Sequence, residues 1–119
     1  MVHDFYSTLR HFNKSEFEYP YKMSEVLLRK LDVARSLAGV PFVITSDYRT
    51  PELNEAVGGS ENSAHLRGRA VDIRCSNSTV RYIIYDGLRT AGFRRIGLGK
   101  TFIHADIDDT LPQGVMWLY

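Results

Sequence analysis

Between Ser24 and Ala38 the apolar positions fall at Leu27, Leu28, Leu31, Ala34, Leu37 and Ala38, the spacing of one helical face. Ser24 offers an N-cap hydroxyl, and Gly39 followed by Pro41 ends the run, so the pattern predicts a helix over 24–38. A second amphipathic stretch, Ser78 to Ala91, sets Val80, Ile83, Ile84 and Leu88 on one side and stops at Gly92. Elsewhere the period shortens. "PFVITS" (Pro41–Ser46) is short and β-branched, "RAVDIRC" (Arg69–Cys75) alternates apolar with polar, and "FRRIGL" and "TFIHADI" follow the second helix. All four predict strands. Pro51–Val57 predicts a short helix with proline in its first turn. Gly58–Arg67 carries no buried stripe and predicts a loop, and the aperiodic "HFNKSEFEYP" predicts loop and short turns. The order helix, strand, excursion, strand, helix, strand, strand implies an α+β fold with a small, mainly antiparallel sheet flanked by two main helices.

Length and composition narrow the class. At 119 residues the chain builds one core, hence a single domain over 1–119. Fifteen basic and 14 acidic residues leave a formal charge of +1 with no basic stripe, which argues against a nucleic-acid partner. No apolar run approaches the roughly 18 residues of a membrane span, and "MVHDFYSTLR" lacks the charged start and apolar middle of a signal peptide. No long apolar stripe is left over to demand a subunit partner, so a monomer is expected. The lone cysteine, Cys75, excludes an internal disulfide and a Cys-rich zinc site, and is expected to be a buried structural thiol.

The candidate chemistry sits in "NSAHLRGRAVD". His65 lies in the loop just before a predicted strand, Asp72 within that strand, and His104 within the last one. Were those strands neighbours, Asp72 and His104 would point into one cleft with His65 arching over it. Two imidazoles and a carboxylate suit a zinc ion that keeps a position open for water. Gly68 permits the turn between His65 and Asp72, and small Ala70 allows close approach. A histidine on a strand is also commonly a satisfied core or surface residue, and spacing alone leaves that alternative open. His3 and His11 match no pattern.

Ser63-Ala-His65-Leu-Arg-Gly68-Arg-Ala70-Val-Asp72 resembles the Ser-x-His-x-x-Gly-x-Ala-x-Asp motif of the M15 peptidases. These are zinc D-alanyl-D-alanine carboxypeptidases and peptidoglycan endopeptidases, akin in structure to the metal domain of hedgehog proteins. "ITSDYRT" resembles the family's strand ending in a Ser-x-Tyr-Arg turn, "NEAVGGSENSAH" the connection into the zinc motif, and "GFRRIGLGKTFIHADI" the segment with the last zinc histidine. The likeness spans roughly Phe12 to Ile107. It implies a hedgehog and D-Ala-D-Ala peptidase-like fold, with one Zn2+ per chain on His65, Asp72 and His104. Arg49 would bind the substrate carbonyl or its developing oxyanion, for which a permanently charged fork of donors is suited. Ser63 would either hydrogen-bond near the substrate or shape the loop.

Three positions depart from the family pattern. Many relatives carry an acid three residues before the last zinc histidine, where this chain has Thr101, and others a histidine at the position of Phe102. The chain instead has Asp106 two residues after His104, on the same side of a strand. Asp106 could serve as general base or could orient a ligand. Asp47 replaces the glycine common in the Ser-Gly-Tyr-Arg turn, and a salt bridge from it to Arg49 is an expectation. Trp117 and Tyr119 are expected in core or lid packing rather than in stacking on substrate.

The implied activity is hydrolysis of peptidoglycan stem or cross-link peptides, as a carboxypeptidase at D-Ala-D-Ala or an endopeptidase at a bond such as L-Ala-D-Glu. Small size without a signal peptide fits a phage lysin or tail-associated enzyme, released by a holin or carried on a virion; otherwise the location would be cytoplasmic. The alternative is an inactive zinc-holding domain that binds cell wall or serves as virion structure.

Overall fold

The computed structural model describes residues 4–119. Its three helices are α1 (Glu25–Ala38), α2 (Pro51–Ala56) and α3 (Ser78–Thr90). The strands are β1 (Ile44–Ser46), β2 (Ala70–Arg74), β3 (Arg95–Leu98), β4 (Phe102–Asp106) and β5 (Val115–Leu118). They form one sheet in the order β1-β2-β4-β3-β5, antiparallel throughout except for the parallel β3–β5 pair. The α+β expectation with a mainly antiparallel sheet is met.

Local chemistry explains the helices. Ser24 Oγ accepts from the Leu27 amide, and Gly39 closes α1 with φ +68°. Thr50 caps α2 ahead of Pro51, and Asn77 caps α3 through the Val80 amide at 2.9 Å. Leu27, Leu28, Leu31 and Ala34 of α1 are buried as their spacing predicts, and Ala38 packs against the core, but Leu37 is exposed, because it lies at the side of the stripe. Helix α3 crosses α1 closely at Gly87. A β-carbon there would lie 2.8 Å from the Ala34 carbonyl oxygen, so the glycine's cost in helix propensity is offset by helix contact.

The sheet divides the molecule into a packed face and a chemical face. Val71, Ile73, Ile96, Ile103 and Ala105 point to the helices and join Leu27, Leu28, Leu31, Ile84 and Leu88 in the core. Alternation then places Ala70, Asp72, Arg95, Gly97, His104 and Asp106 on the opposite face. Cys75 is buried in the core, and burial pushes its thiol pKa up, as suits an inert structural cysteine.

The opening segment is three short 3₁₀ turns, at Phe5–Thr8, Lys14–Glu16 and Pro20–Lys22, in line with the turns expected of it. His11 is exposed there, and His3 lies outside the described residues. Strand β5 was not anticipated. "VMWL" has no polar alternation to mark a strand, because an edge position leaves Val115, Met116 and Leu118 all exposed. No helix among the described residues is long and apolar enough to cross a membrane.

Candidate metal centre

One cross-strand row organises the site. Ser46, Asp72, His104, Gly97 and Trp117 are successive Cα partners across β1, β2, β4, β3 and β5. The two strands are neighbours, and Asp72 and His104 are therefore directly opposite. His65 comes from a 3₁₀ turn, Ala64–Arg67, above this row. Ser63 caps that turn, its Oγ accepting from the His65 amide at 3.2 Å. Gly68 ends it with φ +66°, and any β-carbon there would overlap the Lys22 carbonyl oxygen. Both left-handed geometry and lack of space thus demand glycine where the zinc-like motif has it.

Hydrogen bonds orient both histidine rings. A carbonyl oxygen can only accept, so His65 donates from Nδ1 to the Asp47 carbonyl at 2.7 Å, leaving a lone pair on Nε2. His104 lies between two carboxylates, with Nε2 2.6 Å from Asp106 Oδ2 and Nδ1 3.1 Å from Asp72 Oδ1. Both rings turn a nitrogen to one oxygen: Asp72 Oδ1 is 3.3 Å from His65 Nε2 and 3.1 Å from His104 Nδ1. His65 Nε2 is buried without a hydrogen-bond partner, an arrangement that normally costs free energy. One donor atom from each of His65, Asp72 and His104 lies within 4.8 Å of the others, so the group can hold a metal ion. Two imidazoles, one carboxylate and an orphaned nitrogen aimed at their shared centre fit a zinc-type site.

The charges around this group are arranged in the same sense. Burial alone would raise the pKa of Asp72, but its hydrogen bond with His104 and the nearby His65 ring hold it well below the ordinary carboxylate range. Burial would lower His104, yet its bonds to Asp106 and Asp72 raise it overall. Asp106 is 1% exposed and has both oxygens engaged. Oδ2 accepts from His104, while Oδ1 accepts from Arg95 Nε at 2.7 Å and from the Asp108 amide at 3.1 Å.

Arg49, Ser63, His65, Asp72, His104 and Asp106 all line one cavity of about 550 Å³. Arg49 reaches it from the turn after β1, with Nη2 3.4 Å from Asp72 Oδ2, Nε 3.3 Å from Ser46 Oγ and Nη1 3.3 Å from Asn54 Oδ1. The expected Asp47–Arg49 salt bridge is not formed. The Asp47 carboxylate instead turns away and accepts from the amides of Glu18 at 2.7 Å and Tyr19 at 3.3 Å, tying the opening segment to the site loop. Burial pushes the Asp47 pKa up. Thr101 is exposed in the turn before β4, while Phe102 lines the cavity. Trp117 and Tyr119 also line the cavity and Tyr119 is 66% exposed, so the expected core packing of this pair is corrected.

Sequence reasoning missed Asn54 and Arg95. Asn54 is buried, donates to the Ser60 carbonyl at 2.9 Å and steadies Arg49. No pattern marks it within a short helix. Arg95 could have been found by counting outward from the Gly99-Lys100 turn, which pairs Gly97 with His104 and Arg95 with Asp106.

Asp108 anchors the loop from behind. Its fully buried carboxylate takes hydrogen bonds from Arg67 Nε at 2.6 Å and from the Thr110 amide at 3.0 Å. Burial opposes ionisation, but Thr110 and Arg67 outweigh it and hold the pKa below its ordinary value. A depressed carboxylate stabilises the fold above the unfolded-state pKa, near 3.9, and that contribution disappears as pH falls below it. Asp108→Asn should therefore lower stability by about 1–3 kcal/mol at pH 7, with the gap from wild type shrinking towards pH 3. Urea denaturation at the two pH values checks this, and a gap independent of pH would contradict it.

An α+β scaffold that offers three metal donors on the floor of an open cleft, with a guanidinium alongside, has the design of a metallohydrolase. The chain belongs to the peptidase M15 family, whose model matches residues 5–107. M15 proteins are zinc-dependent metallopeptidases that act on peptidoglycan peptides. No curated protein matches the chain.

Proposed function

We propose that the chain is a single-domain zinc peptidase that hydrolyses peptidoglycan stem or cross-link peptides, with His65, Asp72 and His104 holding one zinc ion. The observation that carries this is the buried, unpartnered Nε2 of His65, converging with Nδ1 of His104 on the Asp72 carboxylate. Zinc bound there supplies a Lewis acid that polarises the scissile carbonyl and brings the pKa of water towards ~7.

The chain's own residues do the rest. Arg49 faces the carbonyl oxygen and stabilises negative charge as it develops, held for that task by Ser46 and Asn54. The Asp47 carbonyl keeps the His65 proton on Nδ1, and Asp106 orients the His104 ring through Nε2. With both oxygens engaged, Asp106 suits the orienting role better than that of general base. Ser63 acts by presenting His65 through its cap. Asp106→Asn should then weaken zinc binding about 10–100-fold, read by competition with a chromogenic chelator. Unchanged zinc affinity with abolished cleavage would instead make Asp106 the base.

The experiment that tests the function is digestion of purified peptidoglycan by the zinc-loaded protein, with fragments identified by mass spectrometry. Defined cleavage that chelator abolishes supports it and names the bond, carboxypeptidase or endopeptidase. Small size and cavity chemistry are compatible with a phage lysin or tail-associated role. A second use, as a zinc-holding wall-binding or virion domain without activity, draws on one observation: among the described residues, no carboxylate beyond Asp72 and Asp106 lines the cavity. Intact sacculi with one zinc per chain would favour it.

A further inference from the structure

The C-terminal strand brings two aromatic rings to the site that the zinc-peptidase chemistry does not use. Trp117 sits opposite Gly97 in the β3–β5 pairing, and the Tyr119 amide donates to the Leu98 carbonyl at 3.1 Å, continuing the same ladder. Gly97 is what lets the rings lie across β3. A β-carbon there would come within 2.6 Å of both Trp117 Nε1 and Tyr119 Cε2. The Trp117 ring centroid is 5.4 Å from that of His104, and the Tyr119 centroid is 6.4 Å from it.

Each ring is braced by a neighbour on the cavity lining. The Arg95 guanidinium lies 5.0 Å from the Trp117 centroid and is itself fixed by Asp106 and by the Pro112 carbonyl at 2.7 Å. Phe102 packs against Tyr119 at 4.9 Å. The two rings together give the cavity lining an apolar surface, with Tyr119 66% exposed at its mouth, on which an apolar side chain can be laid.

We infer that Trp117 and Tyr119 form the specificity wall of the cleft, recognising a small aliphatic side chain on a residue that flanks the scissile peptide bond. This rests on the peptidase assignment above. Proximity identifies the occupant. An extended chain advances about 3.3–3.6 Å per residue, so a wall 5.4 Å from the His104 ring reaches only the residues beside the bond being cut. A sugar ring farther along a stem peptide lies out of range. Arg49 and Arg95 line the same cavity, which complements a peptide bearing carboxylates.

Trp117 is the single tryptophan of the chain and therefore a built-in reporter. The test uses the zinc-loaded protein with two probes: the stem peptide L-Ala-D-Glu-L-Lys-D-Ala-D-Ala and the same peptide with every alanine replaced by glycine. Stopped-flow mixing should show Trp117 emission changing before turnover with the alanine peptide. Tyr119→Ala, an exposed position whose loss does not threaten folding, should lower kcat/KM for the alanine peptide about tenfold and leave the glycine peptide unaffected. Tyr119→Phe, which keeps the ring, should restore the preference. Cleavage of the alanine peptide with silent Trp117 emission, or an equal effect of Tyr119→Ala on both peptides, would overturn the wall while the peptidase assignment stands. Neither cleavage nor an emission change with either peptide would overturn the assignment, and the wall with it.

Discussion

His65→Ala is expected to give a folded protein that no longer retains zinc through dialysis and no longer cuts peptidoglycan. His65 is the donor whose Nε2 has no protein partner, so removing it deletes one of three converging ligand atoms and nothing else in the cavity can replace it. The loss should exceed the about 100-fold that removing a supporting group costs a metal site. Folding should survive, because the core lies on the other face of the sheet, around Leu31, Ile73 and Ile103. The orphaned Asp47 carbonyl would cost about 1–3 kcal/mol if it stayed dry, which a thermal melt would register. Elemental analysis of wild type and variant decides the matter: stoichiometric zinc in the variant would remove His65 from the ligand set.

Arg49→Lys carries the second large effect. Arg49 uses Nε, Nη1 and Nη2 at once, on Ser46, Asn54 and Asp72, which only a rigid planar fork can do. Lysine keeps the charge but neither the three-way fixation nor the aim. The expected result is a fall in kcat of about 10²–10³-fold with zinc content unchanged. A rise in KM with kcat intact would mean that Arg49 binds substrate and transition state equally, and would remove it from the chemistry.

The convergence of the three candidate metal donors was legible in the sequence because their spacing is tied to local geometry. Gly68 must be glycine for its turn to clear Lys22, and alternation along β2 and β4 then carries Asp72 and His104 to one face. Helices α1 and α3 were equally plain from their apolar stripes and caps. What stayed hidden depends on strand neighbours rather than on local pattern. Strand β5 is an exposed edge whose place beside β3 is set by the 107–114 loop, held by Arg95 on the Pro112 carbonyl and by Gln113 on the Asp108 carbonyl at 2.8 Å. Without that strand, Trp117 and Tyr119 could not be placed at the cavity. Asp47 illustrates the same limit. Its nearness to Arg49 in sequence suggested a salt bridge, but the amides of Glu18 and Tyr19, distant in sequence, take its carboxylate instead. The two roles weighed for Asp106 also turned on a long-range partner, since Arg95 engages the oxygen that His104 leaves free.

X-ray absorption at the zinc edge of the purified, zinc-loaded wild type tests the central claim most directly. The account predicts one zinc per chain with the scattering signature of two imidazoles and additional oxygen ligands. Zinc that fails to bind, a shell of oxygens without imidazole, or a sulfur contribution from Cys75 would contradict it.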